Sequence, residues 1–146
     1  MREPSRTGDD LPSCVLLGYD ASESADSALY KVVDRLRGAP VHLVLAYAEP
    51  PFGAWCTPGG LSLTPWQSGW AQADFVRTLA EIRLLGEPVD WEFTSRIGAA
   101  TTFLRHTARA AGAGAIVLGR TRRRWGRTFS VAARLSRSAP APVHVR

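Results

Sequence analysis

Two glycines in this 146-residue chain stand at the ends of short apolar runs, in Gly18-Tyr19-Asp20 and in Leu118-Gly119-Arg120-Thr121. Glycine there lets a ligand approach the backbone, and a helix that follows offers N–H groups with no intrahelical acceptor. Nucleotide phosphates and other small anions suit such turns. Glycines also follow strands for steric reasons alone, and the pattern by itself weighs the two readings evenly. Asp20 adds a carboxylate that can cap the next helix and accept from a ligand at once. Beyond Gly119, the residues Arg120, Arg122, Arg123, Arg124 and Arg127 surround Trp125 and Gly126. Guanidinium groups grip phosphate oxygens in forked pairs. A solvated basic rim is the plainest account of this run, phosphate or nucleotide contact comes next, and nucleic acid is the least favoured.

The remaining reactive side chains form no constellation. His42, His106 and His144 lack metal-ligand spacing, and Ser22, Ser24 and Ser130 have no neighbouring base to make a nucleophile. Trp66 and Trp70, four apart, read as core. Cys14 opens an apolar run and reads as a small buried hydrophobe, while Cys56 lies among Gly and Pro; a reduced pair is expected.

The elements that hold these residues follow from hydrophobic period. Cys14–Gly18 is apolar throughout, as a strand buried on both faces must be. Asp20 and Glu23 have capping-box spacing, and Ala25, Leu29, Val32, Val33 and Leu36 recur at helical intervals up to Gly38. Residues 41–48 form a second apolar strand, and residues 49–64, rich in Pro and Gly, a loop. A helix is predicted from Trp66 to about Leu85, stopped by Gly86 and Pro88. Val89, Trp91 and Phe93 alternate with Asp90 and Glu92, which suits a sheet edge with one polar face. A helix over residues 99–111 ends at Gly112 and Gly114. Residues 115–119 give another buried strand, residues 129–137 a short helix and residues 141–145 a last strand. Five strands alternating with four helices predict a mostly parallel five-stranded sheet with helices on both faces.

Composition sets the outer bounds. The length suits one domain, and 45% hydrophobic residues fit a globular protein. No run approaches the ~18 apolar residues of a membrane span. Residues 1–11 are polar, lack a signal-peptide core and read as a disordered tail, leaving residues 12–146 as the domain and the cytoplasm as its location. The net charge of +5 comes from 18 basic and 13 acidic residues, seventeen of the basic ones arginine. Bulk charge of this size decides nothing about fold.

Several blocks resemble the universal stress protein family. Leu17-Gly18-Tyr19-Asp20-Ala21-Ser22 is similar to the Val-Gly-Val-Asp-Gly-Ser opening of many members. Ile116-Val117-Leu118-Gly119, Ser130-Val131, Arg134-Leu135 and Ala139-Pro140-Ala141-Pro142-Val143-His144-Val145 resemble their ending. Gly98-Ala99-Ala100 matches a glycine before the third helix. The likeness spans residues 12–146 and is least over residues 49–64. It implies the adenine-nucleotide alpha-hydrolase-like fold with strand order 3-2-1-4-5, and a non-catalytic stress-response domain acting through protein partners. It further implies homodimers paired through the final strand and, in many members, ATP or another adenine nucleotide as ligand. The carried-over ligand positions are Gly18, Tyr19, Asp20, Leu118, Gly119, Arg120, Arg122, Ser130 and Val131.

In the family the phosphates rest on Gly, two residues, Gly, nine residues, Gly, then Ser or Thr. Here Arg122 stands for the second glycine and Phe129 for the third, and seven residues instead of ten separate Arg122 from Ser130. Fewer bare amides remain to cradle phosphate, which argues against tight ATP binding and asks whether arginine has taken over. The arginine-rich loop also resembles that of the stress-protein-like domain in potassium-responsive sensor kinases. The alternatives are a nucleotide-independent dimeric interaction module of the same fold and, less favoured for want of a metal-carboxylate cluster or base, a nucleotide hydrolase.

Overall fold

The computed structural model describes residues 12–49, 70–120 and 131–146. Along them run β1 (Cys14–Gly18), α1 (Glu23–Leu36), β2 (His42–Glu49), α2 (Trp70–Leu84), β3 (Asp90–Ile97), α3 (Ala100–Ala111), β4 (Ala115–Leu118), α4 (Val131–Ser136) and β5 (Val143–Val145). The expected tail over residues 1–11, Cys56, Trp66 and most of the arginine-rich loop, with Arg122 and Ser130, lie outside the described residues.

The strands form one sheet in the order β3-β2-β1-β4-β5, and every pairing is parallel. This is the expected fold. The central strand β1 is buried from Cys14 to Leu17, because helices cover both of its faces. Val15, Leu17 and Leu45 share one core cluster with Leu29 and Val33 of α1 and Val76 and Ala80 of α2. Leu16, Val44 and Ile116 share the other with Phe103 and Leu104 of α3 and Leu135 of α4. Alternate residues of each strand thus feed opposite layers, as strand geometry requires. Thiol Cys14 is free and buried, and burial pushes its pKa up.

Edges and helix ends depart from expectation in instructive ways. Edge strand β3 keeps Asp90 and Glu92 exposed and Trp91 and Phe93 half-buried, and continues through Ile97. β5 is shorter than the predicted 141–145. β2 reaches Glu49, expected to open the loop; its buried carboxylate accepts the Ala73 N–H at 3.1 Å and so caps the first turn of α2. α1 is capped by Ser22, whose Oγ accepts from Ala25 N at 3.2 Å. The capping box through Asp20 and Glu23 is therefore not formed: Asp20 Oδ1 accepts from Ser22 N at 2.9 Å, an Asx turn that ends on the cap residue.

Candidate functional site

Residue by residue, the β1–α1 junction shows how the site is shaped. After Gly18, the Tyr19 N–H donates to Ala46 O at 2.9 Å, carrying the β1–β2 ladder one residue further. Tyr19 turns its ring into the α1–α2 core, only 2% exposed, and its hydroxyl donates to Asp26 Oδ1 at 2.6 Å. Burial and the adjoining carboxylate push its pKa well up, so the hydroxyl stays protonated. Side chains alternate along an extended chain, so Asp20 emerges on the exposed side. Ala21 then takes the left-handed conformation with φ 63°, which glycine adopts more readily. Ser22 opens α1, and its Oγ lies 3.2 Å from that of Ser24.

The two glycines have packing reasons. A Cβ on Gly18 would lie 2.6 Å from Leu118 Cδ2. One on Gly119 would lie 2.7 Å from the carbonyl carbon and oxygen of Ser24 and 2.9 Å from Ala25 N. Gly119 is what lets the end of β4 pass under the first turn of α1. The space at this residue belongs to the protein's own backbone, and the steric reading of the strand-end glycine holds there.

These turns enclose a cavity of about 340 Å³ at the carboxyl ends of β1, β2 and β4, lined also by α1, α3 and α4. It sits where the chain leaves β1 for β2 on one side and β4 lies on the other, the switch point at which parallel sheets bind ligands. Its size falls within the ~300–1,000 Å³ of small-molecule sites. Ala46, Ala48, Leu104, Leu118 and Val131 make its walls apolar, while Asp20, Ser22 and Ser24 supply oxygen acceptors and hydroxyl donors at one side. Tyr47 also lines it, its pKa pushed up mainly by burial and further by Glu49 and Asp20.

Charge around the cavity is uneven. The first turn of α1 carries Glu23 and Asp26, which oppose an anion there. α3 has no acidic residue in its first turn, its N-cap Ala99 makes no side-chain cap, and Ala100 lines the cavity. Gly98, at φ 142°, makes the turn into α3 and donates its N–H to Glu49 O. An anionic group is better placed toward α3 and α4 than toward α1.

Of the expected ligand positions, Gly18, Tyr19, Asp20, Leu118, Gly119 and Val131 all line this one cavity. Arg120 is exposed beside it, its N–H donating to Arg146 O. Sequence reasoning missed the Ala46-Tyr47-Ala48 wall and weighed Ser22 and Ser24 only as nucleophiles. The signal was present: β2 is as apolar as β1, so its carboxyl end belonged to the same rim. His42 lies at the opposite end of the sheet, its Nδ1 2.7 Å from Asp90 Oδ2, and the hydrogen bond to Asp90 raises its pKa. His106 and His144 are exposed. Among the described residues no cluster of His, Cys, Asp and Glu could hold a metal ion, and no helix is long and apolar enough to cross a membrane.

The family model of the universal stress proteins matches residues 14–145, and the chain belongs to that family. No curated protein matches it significantly. Among solved structures it is similar to a universal stress protein family member from Burkholderia pseudomallei, at 28% identity and TM-score 0.69, over 92% of this chain and 95% of that one. A universal stress protein in complex with cAMP matches at 20% identity and TM-score 0.65, over 92% and 96% of the chains. An Arabidopsis thaliana member with AMP bound matches at 16% identity and TM-score 0.68, over 92% and 90%.

Proposed function

We propose that this stress-protein domain binds an adenine nucleotide in the cavity at the carboxyl ends of β1, β2 and β4, does not turn it over, and signals through protein partners. The observation that carries the reading is the gathering of Asp20, Ser22 and Ser24 on one side of a cavity of nucleoside size whose walls are mainly apolar among the described residues. The apolar walls suit the flat face of a purine. Asp20 suits a donor, either a ribose hydroxyl or an exocyclic amine. The phosphates point away from Glu23 and Asp26 toward α3 and α4, where the arginine-rich run begins at Arg120. Two relatives of the same fold, solved with cAMP and with AMP, support the ligand class.

The residues present fit the nucleoside end of such a ligand better than a triphosphate. Gly119 already spends its bare face on α1, and Arg122 and Phe129 replace the other two glycines. Guanidinium groups then do the work of backbone amides, with affinity below that of an intact cradle. In this reading the protein works in the cytoplasm and pairs through β5, which has no strand on its outer side among the described residues.

The test is to denature the purified full chain and assay the supernatant for released adenine nucleotide, then follow ATP with and without magnesium. Released AMP, cAMP or ATP and no magnesium-dependent loss of ATP support the proposal. Magnesium-dependent hydrolysis that Asp20→Ala abolishes would establish an enzyme instead. A nucleotide-free protein that pairs normally and ignores added nucleotide would point to the interaction module.

A further inference from the structure

Away from the cavity, a groove of about 180 Å³ lies between α1 and the β4–β5 edge. Lys31 and Arg35 stand four apart on α1 and form one rim, while His144 and Arg146 stand two apart on β5 and form the other. Val15, Val32 and Val117 lie between them, and among the described residues no carboxylate side chain lines the groove. Among the described residues no ion pair engages Lys31, Arg35 or Arg146. The main-chain oxygen of Arg146 is held by the Arg120 N–H.

We infer that this groove binds an extended acidic segment of a partner protein that carries an apolar side chain. Three observations converge on that occupant. Lys31 and Arg35 on one rim and Arg146 on the other are cations, so charge complementarity selects an acidic partner. Cations four apart on a helix, as Lys31 and Arg35 are, repeat at about 5–6 Å. Alternate carboxylates of an extended chain have nearly the same repeat. The volume falls short of the ~300 Å³ at which small-molecule sites begin, yet it accepts one aliphatic side chain over the valines and the stems of Lys31 and Arg35.

A second copy paired through the β5 edge extends the sheet in its own plane and does not fill the groove, which lies on the α1 face. An isologous contact inside the groove would use the same patch twice and set these cations against themselves. Single-stranded nucleic acid is held by stacking on aromatic side chains, and among the described residues His144 is the one aromatic ring in the groove.

The test is fluorescence anisotropy of the full chain with a fluorescein-labelled octapeptide of alternating Glu and Leu. Saturable binding is expected that weakens as salt rises from 50 to about 300 mM, and that fails when Lys replaces every Glu or Ser every Leu. Arg35→Glu and Arg146→Glu each weaken it at least about tenfold, whereas Arg109→Glu, on α3 in the opposite layer, does not; melting curves show which variants keep the fold. Equal binding of the Lys peptide, or full affinity in both groove variants, overturns the inference. So does sedimentation showing that Arg35→Glu alters only self-association, or an oligothymidylate 20-mer that binds more tightly than the peptide with the same sensitivity to Arg35→Glu.

Discussion

The Tyr19 hydroxyl donates to Asp26 Oδ1 across 2.6 Å, tying the residue beside the cavity carboxylate to the first turn of α1. Asp26 Oδ2 in turn holds Arg83 Nη2 of α2 at 3.3 Å. Three elements, β1, α1 and α2, thus meet at one carboxylate behind the cavity wall. Tyr19→Phe removes a donor to that charged acceptor while Arg83 still partners it. The expected cost is about 1–2 kcal/mol, read as a lower urea midpoint at unchanged slope.

Ala21 sits in the left-handed region at φ 63°, where an L side chain costs about 1–2 kcal/mol. Glycine relieves that strain but adds roughly 0.4–1 kcal/mol of unfolded-chain entropy. Ala21→Gly is therefore expected to raise the melting temperature by a few degrees, and Ala21→Val to lower it. Scanning calorimetry of the three proteins checks the order.

At Gly119 the prediction runs the other way. A methyl group there would lie 2.7 Å from the Ser24 carbonyl, a backbone group that cannot swing aside. Gly119→Ala forces β4 and α1 apart at an expected cost of about 1–3 kcal/mol. Because both elements line the cavity, nucleotide affinity falls together with the melting temperature.

His42 gives the fold a pH dependence. Its pKa is raised, first by the hydrogen bond to Asp90, so the folded state holds the proton more tightly than the unfolded chain. The stabilisation is complete below the unfolded value near 6.5 and is lost as pH rises through the higher folded value. The His42 side chain is 34% exposed and that of Asp90 82%, so solvent screening keeps the effect below about 1 kcal/mol. Asp90→Asn should lower the urea midpoint at pH 5.5 and leave it nearly unchanged at pH 8.5.

Much of this architecture was legible in the sequence, because runs such as Cys14–Gly18 and Ala115–Leu118 are apolar at every position, as strands between two helical layers must be. Gly98 and Gly112 also announced their turns, since both take positive φ. The cap of α1 was not legible: Asp20 and Ser22 are both good capping residues, and only the backbone turn at Ala21 selects Ser22. Glu49 misled for a related reason, being a charged residue that the N-terminus of α2 makes acceptable inside. The cavity was half legible. Strand-end glycines marked β1 and β4, but the small residues Ala46 and Ala48 look like ordinary core until the sheet order sets them beside Gly18.

The central claim is that Asp20 and the cavity behind it hold an adenine nucleotide. Isothermal titration of ATP, AMP and cAMP into the full chain tests it most directly, with Asp20→Ala alongside. The account predicts saturable binding of at least one of them, micromolar or weaker (about −8 kcal/mol or less in magnitude). Asp20→Ala should reduce that affinity about tenfold or more, while loss of its hydrogen bond to the Ser22 N–H lowers the ligand-free melting temperature by only a few degrees. No heat from any of the three at millimolar concentration, or equal affinity in Asp20→Ala, would contradict it.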